Sequence, residues 1–184
     1  MSDIQEDIEI QFKKDEHCVY KTHGVGTIQE IQTIKIDTYQ SKCYMVFFEK
    51  EKLTISVPFS QVKTGYLRKI SSKETMDDAF AILKNGTKKI KGMWSRRAKE
   101  YEEKINSGDV LLIAEVLRDL TRDIEDADRS FSERMIYETA IYRLATEHSI
   151  IHNIKLEVSS KMILEISKEK INFVDMSTSK KISG

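Results

Sequence analysis

The sequence has one proline, two cysteines and one tryptophan among its 184 residues. Cys18 and Cys43 are too few for a disulfide framework, so both are expected to be reduced. No apolar run reaches the roughly 18 residues that a membrane-spanning helix needs. The opening stretch, MSDIQEDIEIQ, is acidic and lacks the basic-then-apolar layout of a signal peptide, so a cytoplasmic location is expected. Net charge is absent too. The 30 basic and 30 acidic side chains cancel, which argues against a protein that coats nucleic acid by bulk electrostatics. There is no G-x-S-x-G, P-loop, G-x-G-x-x-G or H-E-x-x-H motif, and HGVG (23–26) reads as a turn. His17, Cys18, His23 and Cys43 lack the closely paired spacing of zinc ligands. The acidic cluster Asp123, Glu125, Asp126 and Asp128 lacks the ligand order and glycine of an EF-hand. His148 and His152 flank an apolar pair and have no sequence partner that would make a catalytic dyad. The expectation is therefore a non-enzymatic chain with no metal and no cofactor.

What is present divides into two textures. Up to about residue 70 the pattern is that of strands: HCVYKT (17–22), TIQEIQTIKI (27–36), CYMVFFE (43–49) and LTISVPF (53–59), with turns expected at 37–42 and 49–52. Pro58 suits a strand end or edge. Such short strands imply a small, strongly bent antiparallel sheet or barrel. Beyond residue 70 the apolar spacing becomes helical. Ser71 to Glu74 has capping-box spacing before a helix of about 74–84. A loop follows, then a helix over about 94–106, a third capped by Asp109, a fourth capped by Ser130 or Ser132, and a last over about 154–167. Strands followed by helices indicate an α+β chain: a small antiparallel β module, then a bundle of about five helices. The boundaries read as an acidic extension (1–11), the β module (12–70), the helical module (71–167) and a polar tail (168–184) expected to fray. No heptad seam stands out, so a monomer is expected.

The charge is unevenly spread. Residues 84–104 carry eight basic and three acidic side chains, a net of +5, whereas residues 105–148 net −5. Trp94 lies inside the positive window, followed by Arg96, Arg97 and Lys99. A lone tryptophan is usually a packing residue. Here it stands after a loop at a helix start, with cations close enough to hold phosphates beside an inserted ring. Apolar wedges flanked by basic residues distort DNA from its minor groove. One short patch is too weak to do this alone at physiological salt, so something else must hold the protein at DNA.

The segments VYKTHGVGTI (19–28), LTISVPF (53–59), LR (67–68), WSRRAKEYEEKINSGDV (94–110), AEVLRDL (114–120) and SERM (132–135) resemble the CarD/CdnL family of bacterial transcription regulators over roughly residues 12–167. The β part alone is also similar to a module of transcription-repair coupling factors. The resemblance implies a Tudor-like (SH3-like) N-terminal module that binds the β subunit of RNA polymerase, and a helical domain that contacts promoter DNA at the upstream edge of the transcription bubble. It implies that Trp94 wedges into the minor groove there and so stabilises the open promoter complex, largely independently of sequence. Arg96, Arg97 and Lys99 match the family's basic positions, with Arg134 in a later helix. Nucleoid association through polymerase would follow. The chain departs from the family on the β module: arginines that contact polymerase fall near Ile34 or Lys35 and at Ser56, and Ser56 has lost the charge. Glu133 replaces another basic residue. Edge-strand pairing would make side chains matter less for the polymerase contact. The rival expectation is a protein–protein adaptor in which Trp94 and its basic neighbours form a protein-binding hot spot and DNA plays no part.

Overall fold

The computed structural model describes residues 11–36, 39–85, 92–121 and 130–179, with side chains described to residue 167 apart from those of Ile36 and Tyr39. The acidic cluster at 123–128, Lys88, Lys89, Lys91 and most of the acidic extension lie outside the described residues. Two compact units divide at Ile70 and Ser71.

The first unit contains β1 (His17–Tyr20), β2 (Gly24–Ile36), β3 (Tyr39–Phe48), β4 (Leu53–Pro58), the short helix α1 (Ser60–Lys63) and β5 (Leu67–Lys69). The strands form one antiparallel sheet in the order β4-β3-β2-β1-β5. One face buries Phe12, Cys18, Ile28, Tyr44, Val46, Phe48, Val57, Phe59 and Leu67. Tyr44 is central to this core: its ring stacks on Phe59 at 4.2 Å and meets Phe12 edge-on at 5.5 Å. A bulge between Ile28 and Glu30 adds one residue to β2, and such insertions increase a sheet's local twist and bend. The tight turn before β2 uses Gly24 at φ 82°. Gly26 serves closeness instead: a Cβ there would lie 2.6 Å from Val46 Cγ1 and 2.8 Å from Phe48 Cε1. Both cysteines are free and buried. Burial above all, aided by Glu16, pushes the Cys18 thiol up to about 12, and its Sγ donates weakly to the Gly26 carbonyl, so it stays a protonated, small apolar side chain.

Three features differ from the sequence expectation. Gly24, Val25 and Gly26, read as part of a turn, open β2 and pair with Tyr20, Val19 and Cys18. The β2–β3 hairpin keeps its pairing out to Ile36 and Tyr39, through residues 39–42 that read as a turn. Backbone pairing to a β-branched partner outweighs the polar composition of that stretch. In addition, Leu67–Lys69 forms β5 against β1, a strand too short to show any alternation.

The second unit contains α2 (Lys73–Lys84), α3 (Trp94–Asn106), α4 (Val110–Thr121), α5 (Phe131–His152) and α6 (Leu156–Ser179). Three starts carry side-chain caps, though α2 is capped by Ser72 rather than through the Ser71-to-Glu74 capping box its spacing suggested. Ser72 Oγ accepts from Thr75 N–H, Asp109 Oδ1 from Leu111 N–H, and Ser130 Oγ from Glu133 N–H. The last of these decides between Ser130 and Ser132. Asn153, in the left-handed region at φ 52°, ends α5. The backbone of α6 runs on to Ser179, beyond the expected end near 167. The core combines Met76, Ala79 and Leu83 of α2, Tyr101 and Ile105 of α3, the inward face of α4, Ile136, Tyr137, Ala140 and Leu144 of α5, and Ile163 of α6.

Candidate nucleic-acid interface

Helix α3 is held at its far end and left open at its near end. Tyr101 and Ile105 are buried in the core. The buried Arg143 on α5 donates from Nη1 to the Ile105 carbonyl at 2.7 Å, satisfying a backbone acceptor in the last turn and placing positive charge at the negative end of the helix dipole. Lys104 reaches Glu115 of α4 at 2.8 Å. The apolar stripe of α3 is Trp94, Ala98, Tyr101 and Ile105, at i, i+4, i+7 and i+11. Trp94 is thus the outermost member of a packing stripe. It is half-buried against the core, with its ring centroid 6.4 Å from that of Tyr101.

The three expected cations are divided between two faces of this helix. Arg97 lies over the indole, with Cζ 5.3 Å from the ring centroid. This is a cation–π arrangement, and it leaves Arg97 Nε buried with no hydrogen-bond partner. At 3.6 residues per turn, Arg96 and Lys99 fall on the side of α3 away from the indole. Both are exposed, and Lys99 makes only a loose, solvent-exposed pair with Glu103 at 4.0 Å. Helices α3 and α5 share one core, and Arg97 on α3 and Glu133 in the first turn of α5 are among the charges that act on the buried Tyr101 hydroxyl. Burial, reinforced by Asp119, pushes that hydroxyl up to about 12, and it stays a neutral packing group. Arg134 is exposed in this first turn of α5. Two exposed apolar side chains there were not foreseen from the sequence: Met93 (78% exposed) and Phe131 (79% exposed). Periodicity does not reveal them, because each sits at the edge of a helix rather than on its buried stripe.

On the β module the positions expected at a polymerase contact are separated. Ser56 on β4 faces Met45, while Ile34 and Lys35 on β2 face Ser41 and Gln40. Neighbouring residues of a strand point to opposite faces, so Ile34 and Lys35 do not share one. Pairing of β4 stops at Cys43, which leaves Ile34 and Lys35 on the two-stranded part of the hairpin. Lys35 is exposed, Ile34 half-buried, and Ser56 Oγ is buried with no partner. Among the described residues nothing pairs with the outer side of β4, which is an edge of the sheet.

His148 has a structural place. It is buried, tilted against Phe80, and its Nδ1 lies 2.8 Å from Ser159 Oγ. Ser159 donates its one hydroxyl proton to the Ala145 carbonyl, so it accepts from His148 Nδ1–H. An activated serine would have to donate to the imidazole instead. Beside this pair a cleft of about 620 Å³ runs among α2, α5 and α6, with Phe80, Val158, Met162 and Ile166 along it. No described helix is long and apolar enough to cross a membrane.

The chain thus has two parts: a small sheet whose β4 edge is unpaired among the described residues, and a helical module with an aromatic and cationic helix start. Residues 12–71 match the CarD-like/TRCF RID domain family, whose fold is Tudor-like, and residues 78–164 match the CarD C-terminal domain family. The chain is 24% identical over 143 residues to "Putative transcription factor YdeB" of Bacillus subtilis (strain 168), covering 78% of this chain and 94% of that protein. The chain belongs to the CarD/CdnL family of transcription factors.

Proposed function

We propose that this chain binds the β subunit of bacterial RNA polymerase through its β module and stabilises the open promoter complex through the start of α3. The first part is supported by the match of the sheet to the RID type of domain and by the unpaired edge of β4, which offers a row of backbone groups to an added strand. With Ser56 uncharged and Lys35 on a separate part of the hairpin, this contact depends on backbone pairing more than on paired arginines.

The observation that carries the second part is the placement of Trp94. A packing residue alone would be closed off; this indole ends its stripe half-exposed, backed by the core and by Arg97, with Arg96 and Lys99 exposed across the helix. One cation over the ring and two more across the helix suit a surface met by phosphate backbones. Arg134, exposed in the first turn of α5, adds a further phosphate contact. The chain favours the open state by the difference between its affinities for the open and closed complexes. About 1.4 kcal/mol of such difference shifts that equilibrium tenfold. Base-edge recognition plays no part, and binding to free DNA is weak and falls steeply with salt.

The test uses polymerase holoenzyme on a promoter, with the lifetime of the open complex followed after a polyanion challenge. Wild-type protein lengthens that lifetime. Trp94→Ala still binds polymerase and loses the effect. If wild type leaves the lifetime unchanged, the DNA role is wrong and an adaptor role takes its place. If Trp94→Ala keeps full activity, the indole only packs.

A further inference from the structure

The residue before Trp94 breaks a local rule. An N-cap is normally Ser, Thr, Asp or Asn, because its side-chain oxygen accepts one of the free N–H groups of the first helical turn. The described starts of α2, α4 and α5 follow that rule with Ser72, Asp109 and Ser130. Helix α3 has Met93 in this position, in extended geometry at φ −64° and ψ 149°, with no side-chain cap bond. A thioether is too weak an acceptor to replace the missing cap. Burial gives nothing back either, since Met93 is 78% exposed. Position 93 therefore forgoes a cap and holds an apolar side chain in water, two local costs with no return among the described residues. Sequences break local rules chiefly where a function outweighs them.

We propose that Met93 is the leading apolar contact of this site, pressed against an unstacked DNA base step ahead of Trp94; this rests on the DNA reading above. The two side chains differ in freedom. Trp94 is packed on the core and has Arg97 over one face of its ring, so its movement is limited and that face is covered. Met93 stands outside the core, on a backbone position fixed by the helix start that follows it. Methionine is unbranched and adapts to irregular surfaces, and it is among the side chains that wedge between base steps. Arg96, Arg97 and Lys99, all within the next two turns, make a polyanion the fitting occupant rather than a neutral protein surface. In this arrangement Trp94 is the rigid backing and Met93 the part that enters.

The test measures open-complex lifetime and thermal stability for the full chain carrying Met93→Ala, Met93→Leu or Met93→Ser, beside wild type and Trp94→Ala. Met93→Ala is expected to shorten the lifetime about fivefold, the scale of one truncated apolar contact. Met93→Leu keeps most of the effect. Met93→Ser moves the two readouts in opposite directions: it supplies the missing cap and raises the melting temperature by a few degrees, while the lifetime falls. If Met93→Ala and Met93→Ser both retain the wild-type lifetime and Trp94→Ala does not, the indole acts alone and the proposal is overturned while the DNA reading survives. If wild type has no effect on lifetime, both fall. Weaker binding of Met93→Ala to polymerase without DNA would also overturn it, by making Met93 a protein contact.

Discussion

In the β module the exposed feature is a line of backbone groups; in the helical module it is a set of side chains. Among the described residues the outer side of β4 is unpaired, and Ser56, between the core-facing Ile55 and Val57 and so on the opposite face of the strand, has its hydroxyl buried and unpartnered. The start of α3 is the reverse case. Its backbone is ordinary helix, and what it presents is Met93, half of Trp94 and three cations on two faces. A surface made of backbone tolerates substitution as long as the strand keeps its shape. A surface made of side chains loses its action one residue at a time.

The comparison breaks most sharply if one module can be unfolded without the other. Gly26→Val is expected to cost the sheet about 1–3 kcal/mol or more, because the added side chain overlaps Val46 and Phe48 in a closed core. Chemical denaturation should then separate into two transitions, with the far-ultraviolet helix signal persisting after the sheet is lost. A single shared transition would mean that the two modules stabilise each other.

An intermediate effect comes from pH, in the helical module. Burial foremost, and then His152, hold His148 below the ordinary histidine range, against an opposing pull from Asp77. Its neutral form also donates the bond to Ser159. Because the unfolded chain takes up this proton more readily than the folded one, stability is full above the unfolded value of about 6.5. It declines as pH falls through that value toward the lower folded one. The melting temperature of wild type should drop between neutral and mildly acidic pH, and that of His148→Gln should change much less over the same range.

The smallest effect sharpens the backbone side of the comparison. Ser56→Ala removes a buried hydroxyl that has no partner, so stability should stay level or rise by up to about 1 kcal/mol. Polymerase pull-down should be unchanged. A loss of binding would show that this side chain, rather than the strand edge, carries the contact.

Much of the architecture was legible because it rests on spacing. The helix over 94–106 was readable, Asp109 announces the helix it caps, and the next cap was narrowed to Ser130 or Ser132. Leu67–Lys69 was not legible, since three residues carry no alternation and become a strand only when β1 is there to pair with them. At the site, the types of residue were readable but their grouping was not. Arg96, Arg97 and Lys99 look like one cluster in a line of text, and only helical geometry sends Arg97 onto the indole and the other two away from it. Met93 escaped notice because it belongs to no stripe. Its importance comes from what a cap position should contain and does not.

The chain has one tryptophan, and that residue sits at the proposed point of contact, half-exposed beneath a guanidinium. The protein therefore carries its own optical probe. Indole emission excited at the red edge, away from the seven tyrosines, comes from Trp94 alone. Its colour, its accessibility to iodide and its quenching by stacked bases all report on the few ångströms where the proposed function would take place, with no label attached.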